Sequence, residues 1–383
     1  MGELFGMGWA SANDELRAGE LVDARGVRIT FGMIVLNGEP FTRYNLRSLY
    51  PWAHQIIVVE GACPGAASVA RRDGHSADGT LEMIRRFKRD EDPEGKVEIV
   101  TAEDEGCSDG FWPGEKTQMS QAYARRANGN YLWQVDSDEF YLDSSMRRIA
   151  RLLASGVDAI TVPTLTFWGG MDYIANGSYL VRHRAGEYSR IFRWAPGYTY
   201  QSHRPPTVLD AVSTDLRAKR HVTADSLALE DIYLYHYSLL FPCQVSTKVG
   251  YYRNQGAEKD ATGGGVNPDI ATWADEVYGR LEKPFRVHNM VQHYSWLERF
   301  HGPQPEQALC MMEAVKAGQH PGVALRCNDD VEALLGARWY AVARRGLKAR
   351  IKLEMAADTL VTGICRNPLY RSCRSSLGAL LCR

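Results

Sequence analysis

The stretch from Val27 to Glu60, VRITFGMIVLNGEPFTRYNLRSLYPWAHQIIVVE, decides how the rest of the chain is read. Val27 to Leu36 is a continuous apolar run ending at Asn37-Gly38, which predicts a strand buried on both faces. Glu39 to Tyr50 carries Leu46 and Leu49 at helical spacing, and Gln55 to Val59 is a second buried strand that stops at Glu60-Gly61. Strand, helix and strand in so few residues form a βαβ unit.

The alternation continues. Ser76-Ala77-Asp78-Gly79-Thr80 offers turn and capping chemistry for a helix from Leu81 to Arg89, and Lys96 to Thr101 reads as a third strand. A helix from Glu115 to Arg126 ends at Asn128-Gly129, and Tyr131 to Val135 is a fourth strand. The pattern predicts an α/β fold with a mostly parallel, Rossmann-type sheet flanked by helices, whose ligands lie beyond the carboxyl ends of the strands.

Those ends are acidic or amide: Asn37 and Glu39, then Glu60, then Glu103, Asp104 and Glu105, then Asp136, Asp138 and Glu139. No fixed positive charge follows them in sequence, so a cation or a polyhydroxyl ligand is expected at the rim. The sharpest signal is Tyr131-Leu-Trp-Gln-Val-Asp136-Ser137-Asp138, a strand running into Asp-x-Asp. Carboxylates two residues apart at an extended end lie on one side and can approach one ion, and hard oxygen ligands favour Mg²⁺ or Mn²⁺.

On these pieces the chain resembles a family-2-type glycosyltransferase of the GT-A fold, in the nucleotide-diphospho-sugar transferase superfamily. The resemblance runs from about Arg28 to Asp143 and more weakly to about Tyr252. It implies that Asn37, Glu60, Asp78, Lys116 and Asp136 face the nucleotide sugar. Glu60 would hold the nucleoside, Asp78 would lie near the base, and Asp136 and Asp138 would manage ribose and metal. Two departures stand out. Gly61 to His75 intervenes before the Asp-Gly-Thr turn, and Ser120-Gln121 stands where the family carries Arg-Asn, which leaves Lys116 as the cation for a diphosphate.

Further along, Leu229 to Ser238 alternates as a strand. By the same resemblance His236 is a third metal ligand, and Glu230-Asp231 supplies the carboxylate that deprotonates the acceptor hydroxyl. Asp231 and His236 would lie on opposite faces unless a bend intervenes. Phe167 to Asp172, Arg190 to Trp194 and His203 to Pro206 form an aromatic and basic insert suited to a carbohydrate acceptor or to core packing. Ala257 to Pro268, with three successive glycines, reads as a lid.

The expected organisation is a lead-in over 1–27 and a GT-A-like domain over 28–255, divided into a nucleotide-sugar half (28–143) and an acceptor half (144–255). A loop and helical accessory region follows over 256–345, then a basic tail over 346–383. From Arg338 onward ten basic residues face two acids. At helical spacing such a segment rests on an anionic membrane surface or packs on the body with its charges in water.

Composition bounds the rest. Of 383 residues, 45% are hydrophobic and 24% charged, and 45 basic against 46 acidic side chains leave a charge of -1, which argues against a general nucleic-acid binder. Eight scattered cysteines suggest neither a disulfide framework nor a zinc site. The amino-terminal residues lack the basic-then-apolar order of a secretory signal, so a cytoplasmic protein is expected. The functional expectation is a metal-dependent glycosyltransferase, using Mn²⁺ or Mg²⁺ and moving a sugar from a nucleotide-diphosphate donor to a hydroxyl on a glycan or glycoconjugate. A sugar nucleotidyltransferase and a non-catalytic carbohydrate-binding protein on the same fold are the alternatives.

Overall fold

The computed structural model describes residue 22 and residues 26–114, 116–177, 189–253, 269–288 and 294–366, the last twelve by backbone alone. The βαβ series is present: β1 Ile29–Val35, α1 Phe41–Leu49, β2 Ala53–Glu60, α2 Thr80–Asp90, β3 Val97–Val100, α3 Lys116–Arg126 and β4 Tyr131–Asp136. β1 pairs in parallel with β2 on one side and with β4 on the other, and β3 runs parallel beyond β2.

Alternation along the strands divides the core between two faces. Phe31, Met33, Ile56, Val58, Trp133 and Val135 join Leu46, Leu49, Ile84 and Phe87 of α1 and α2. Ile57, Val59 and Leu132 join Met119, Ala122 and Tyr123 of α3. Burying both faces explains why these strands read as apolar runs rather than as alternating ones.

Three further strands complete the large sheet. β5 Glu139–Phe140, α4 Asp143–Ala154, β6 Ala159–Thr161, β7 Thr164–Trp168, β8 Tyr173–Gly177 and β9 Ser189–Arg193 follow β4 in sequence. β9 lies antiparallel between β4 and β6. After the hairpin of β10 Thr199–His203 with β11 Pro206–Leu209 comes β12 His221–Val222, the outer neighbour of β6. The order is β12-β6-β9-β4-β1-β2-β3, mostly parallel and flanked by helices as expected.

A second sheet, not foreseen, has the order β14-β8-β7-β13-β5, with β13 Leu234–Leu239 and β14 Ser295–Arg299. β14 comes from beyond residue 255 and pairs antiparallel with β8. α5 Pro242–Arg253 follows β13, and α6 Glu306–Lys316 packs Met311, Met312 and Val315 against Phe41 and Tyr44 of α1. Two helices follow in the accessory region and beyond, α7 Asp329–Gly336 and α8 Arg338–Arg366, separated at Ala337 where the backbone is extended. α8 is anchored: Tyr340 is buried, Arg344 donates to the Leu297 carbonyl at 3.0 Å, and Lys348 pairs with Glu298 at 2.5 Å. No helix among the described residues is long and apolar enough to cross a membrane. The lid expected over Ala257 to Pro268 lies outside the described residues, as does the tail from residue 367.

Gly32 sets how closely α3 approaches the sheet. A Cβ there would overlap the Tyr123 ring, itself fully buried. Adding one methyl to such a contact displaces the ring and the helix with it. Gly32→Ala is expected to destabilise the protein by about 1–3 kcal/mol, read as a lowered thermal unfolding midpoint. An unchanged midpoint would mean that α3 does not pack as described.

Candidate functional site

The carboxyl ends of β1 and β4 meet the face of α5 across a cleft of about 220 Å³. Leu36 to Glu39 line it from β1, Asp136 to Asp138 from β4, His236 and Ser238 from β13, and Lys116 from the start of α3. Helix α5 contributes Gln244, Thr247, Lys248, Tyr251 and Tyr252, a single stripe at helical spacing. Arg204, between β10 and β11, closes the ring.

The β1 end is held by hydrogen bonds. Asn37, at φ 54°, donates from Nδ2 to the Val69 carbonyl at 2.6 Å and accepts from the Ala77 amide at 2.7 Å. Asp78 accepts from the Glu39 amide at 2.9 Å and from Thr80 at the start of α2. Both side chains are thereby committed to shaping the loop. Glu39 itself is a buried carboxyl whose Oε1 has no hydrogen-bond partner in the structure. Burial, with Asp78 nearby, pushes its pKa up to about 7.

On the β4 side every carboxylate faces a fixed cation. Arg190, buried on β9, reaches Glu139 at 2.5 and 3.1 Å and comes within 3.7 Å of Asp136. Asp138 Oδ2 accepts from Gln244 Nε2 at 3.0 Å and from Lys248 Nζ at 3.2 Å, while His236 Nε2 lies 3.6 Å from Oδ1. Lys248 also donates to Ser238, to the carbonyl at 2.8 Å and to Oγ at 2.6 Å. Burial alone would raise the Asp138 pKa, but Lys248 and His236 outweigh it and hold the carboxyl well below the usual carboxylate range.

Further cations line the cleft. Lys116 Nζ stands 5.7 Å from the centre of the Tyr251 ring, and Arg204 donates to the Tyr252 hydroxyl at 3.2 Å. Desolvation would raise the Tyr252 phenol, yet Arg204, Lys116 and Lys248 together bring it down to about 7. A phenol shifted that far marks a concentrated positive potential.

Several expectations need correcting. The rim is not without fixed positive charge: Arg190, Lys248, Lys116 and Arg204 supply it. Glu60 does not line the cleft; it is fully buried and spends Oε2 on His75 at 2.8 Å and Oε1 on the Ser76 amide at 2.8 Å. The acids after β3 are likewise engaged, Glu103 by His75, Asp104 by the Thr101 amide, and Glu105 by Arg125 and Arg126. Glu230 and Asp231 are not on a strand and do not line the cleft. They sit in the turn before β13, with Asp231 at φ 54° and Glu230 paired to Arg148 of α4. That turn is the bend which frees His236 to face the cleft. In the aromatic insert, Phe167, Trp168 and Phe192 are core.

Asp136, Asp138 and His236 all line the cleft. Asp138 Oδ2 is already met by Lys248 and Gln244, His236 lies 3.6 Å from Oδ1, and among the described residues no three His, Cys, Asp or Glu side chains are grouped to hold a metal. Sequence reasoning missed Lys248, Gln244 and Tyr252, for which the period of α5 was a usable signal; Arg204 was read only as part of the basic insert His203 to Pro206.

No family model and no curated protein matches the chain. Among solved structures it is similar to residues 1–349 of S. aureus TarS, at 13% identity and TM-score 0.30 over 43% of this chain and 47% of that one. A complex of the same protein with UDP-GlcNAc gives 14% identity and TM-score 0.30, over 43% and 45%. Mycobacterium tuberculosis glucosyl-3-phosphoglycerate synthase, with Mn²⁺, uridine diphosphate and phosphoglyceric acid, gives 17% identity and TM-score 0.27, over 40% and 48%. The chain thus spans about half the length of the structures it is similar to. At that overlap the likeness carries no conclusion about activity.

The charge arrangement has a spectroscopic consequence. One tyrosine should ionise with a midpoint of about 7, visible as phenolate absorbance, and the step should vanish in Tyr252→Phe and move upward in Arg204→Ala. A wild-type protein with no tyrosine titrating below the ordinary phenol range would show that the cleft lacks this potential.

Proposed function

We propose that the chain is a glycosyltransferase of the GT-A type that binds a nucleotide-diphosphate sugar in this cleft and passes the sugar to a hydroxyl acceptor on a glycan or glycoconjugate. One observation carries the reading: carboxylates from the end of β4 and cations from α3, α5 and the β10–β11 turn meet across a single cleft. A nucleotide sugar needs both. Its ribose and hexose hydroxyls donate to carboxylates, and its diphosphate requires positive charge.

Asp136 is the group for the sugar or ribose hydroxyls, since its side chain keeps 30% exposure while Asp138 is nearly enclosed. Lys116 and Arg204 face the diphosphate. Transfer forms a bond from the acceptor oxygen to the anomeric carbon and breaks that carbon's bond to the β-phosphate oxygen. The nucleoside diphosphate departs with the electron pair, and the acceptor's proton is released. Charge grows on the departing phosphate in the transition state, so cations fixed beside it lower the barrier more than they tighten ground-state binding.

The wall from Asn37 to Glu39 supports a placement of the nucleoside against β1, with Asn37, Asp78 and Glu60 maintaining its shape through their loop contacts. No nucleotidyltransferase-like basic loop follows β1, whose end is Asn37-Gly38-Glu39.

Calorimetric titration with UDP, GDP, CDP and dTDP in the presence of Mn²⁺ tests the reading. One nucleotide should bind, and Arg204→Ala should weaken it by about tenfold or more, the usual worth of a charge-assisted contact. Equal affinity in Arg204→Ala would remove the diphosphate from this cleft, and failure of all four to bind wild type would remove the proposal.

A further inference from the structure

We propose that Lys248 takes the place of the divalent cation, so that the chain binds its donor without metal; the inference rests on the nucleotide-sugar reading above. The Asp-x-Asp element meets a built-in ammonium. Lys248 Nζ is 3.2 Å from Asp138 Oδ2, and its other donors go to the Ser238 carbonyl at 2.8 Å and to Ser238 Oγ at 2.6 Å. Three acceptors satisfy an ammonium's three protons, which fixes it against β13 rather than leaving it to swing.

Among the described residues no three His, Cys, Asp or Glu side chains are grouped to hold an ion, and cations and donors crowd the two carboxylates. Gln244 Nε2 occupies the same Asp138 oxygen at 3.0 Å, His236 lies 3.6 Å from the other, and Arg190 stands 3.7 Å from Asp136. A divalent ion bound to Asp138 would sit beside Lys248 and repel it. The ion would also have to displace a charge-assisted hydrogen bond that the fold has already made.

The work a metal does for a leaving diphosphate is then divided. Lys248 is a positioning residue: it neutralises Asp138, so that no uncompensated carboxylate opposes the incoming phosphates. Lys116 and Arg204, which line the same cleft, take the phosphate charge directly. Fixed cations supply the same differential stabilisation as a bound ion without having to be recruited.

The test is calorimetric titration of the full chain with UDP, GDP, CDP and dTDP, once after EDTA treatment and once with added Mn²⁺. Wild type is expected to bind one nucleotide with the same dissociation constant, within about twofold, in both conditions. Lys248→Met should lose about tenfold or more in EDTA and recover part of it with Mn²⁺, because Asp138 is then free to hold an ion. Lys248→Arg keeps the charge and should bind in EDTA within a few-fold of wild type; near-ultraviolet circular dichroism of both variants separates misfolding from lost binding. Wild-type binding seen only with Mn²⁺ would overturn the metal-free assignment and leave the glycosyltransferase reading standing. Absence of binding in both conditions would overturn the two together.

Discussion

Asp138 is a buried carboxylate, and burying it is tolerable only because Lys248 and Gln244 reach it from α5. An ionised group withdrawn from water without a partner costs several kcal/mol, so the pair couples the end of β4 to the register of α5. Much else follows from that coupling. With Lys248 fixed on Asp138, the helix must present Thr247 beside it and Tyr251 and Tyr252 one turn further along to the same cleft. Arg204 then meets Tyr252, and the cations line one cleft with the carboxylates. The Asp138–Lys248 pair is less a source of net stability than a device that places two elements in one arrangement.

The large sheet supplies the frame for this pairing. β1, between β2 and β4 in parallel register, brings Val35 beside Glu60 and Ile34 beside Asp136. The loop from Gly61 to His75, which interrupts the expected motif, is tied back to the strand ends. Ala62 donates to the Gly74 carbonyl, Trp112 donates to the Ala62 and Glu60 carbonyls, and His75 bridges Glu60 to Glu103. It also lies against α5, where Val69 meets Gly250. Glu60 therefore serves the cleft by building the loop that backs it. The carboxyl-terminal region serves it in a comparable way, with α6 packed on α1 behind Glu39 and β14 completing the second sheet.

The central sheet was legible because its strands are buried on both faces and its helices show their apolar stripes; Phe31, Ile57, Val58 and Trp133 could hardly have been read otherwise. The second sheet was not, because β5 has two residues and the pairing of β14 with β8 joins segments far apart in sequence, which no local period reveals. The Asp-x-Asp element was visible as a motif. Its partners were hidden for the same reason as the second sheet: Lys248 is 110 residues from Asp138, and Arg190 is 51 from Glu139. An acidic strand end looked uncompensated only because compensation arrives through tertiary structure. Glu230 and Asp231 misled in another way, since alternation was carried back from β13 into a turn where Asp231 takes a left-handed conformation. The stripe on α5, by contrast, was readable at helical spacing.

The claim on which the account turns is that the cleft between β4 and α5 cleaves a nucleotide sugar. The direct measurement is release of nucleoside diphosphate from a panel of UDP-, GDP-, CDP- and dTDP-sugars by the full chain, beside Asp136→Asn. The account predicts release from one class of donor above the buffer rate, abolished by Asp136→Asn in a protein that still unfolds cooperatively. Release from no donor, or release unaffected by the loss of the Asp136 charge, would contradict it.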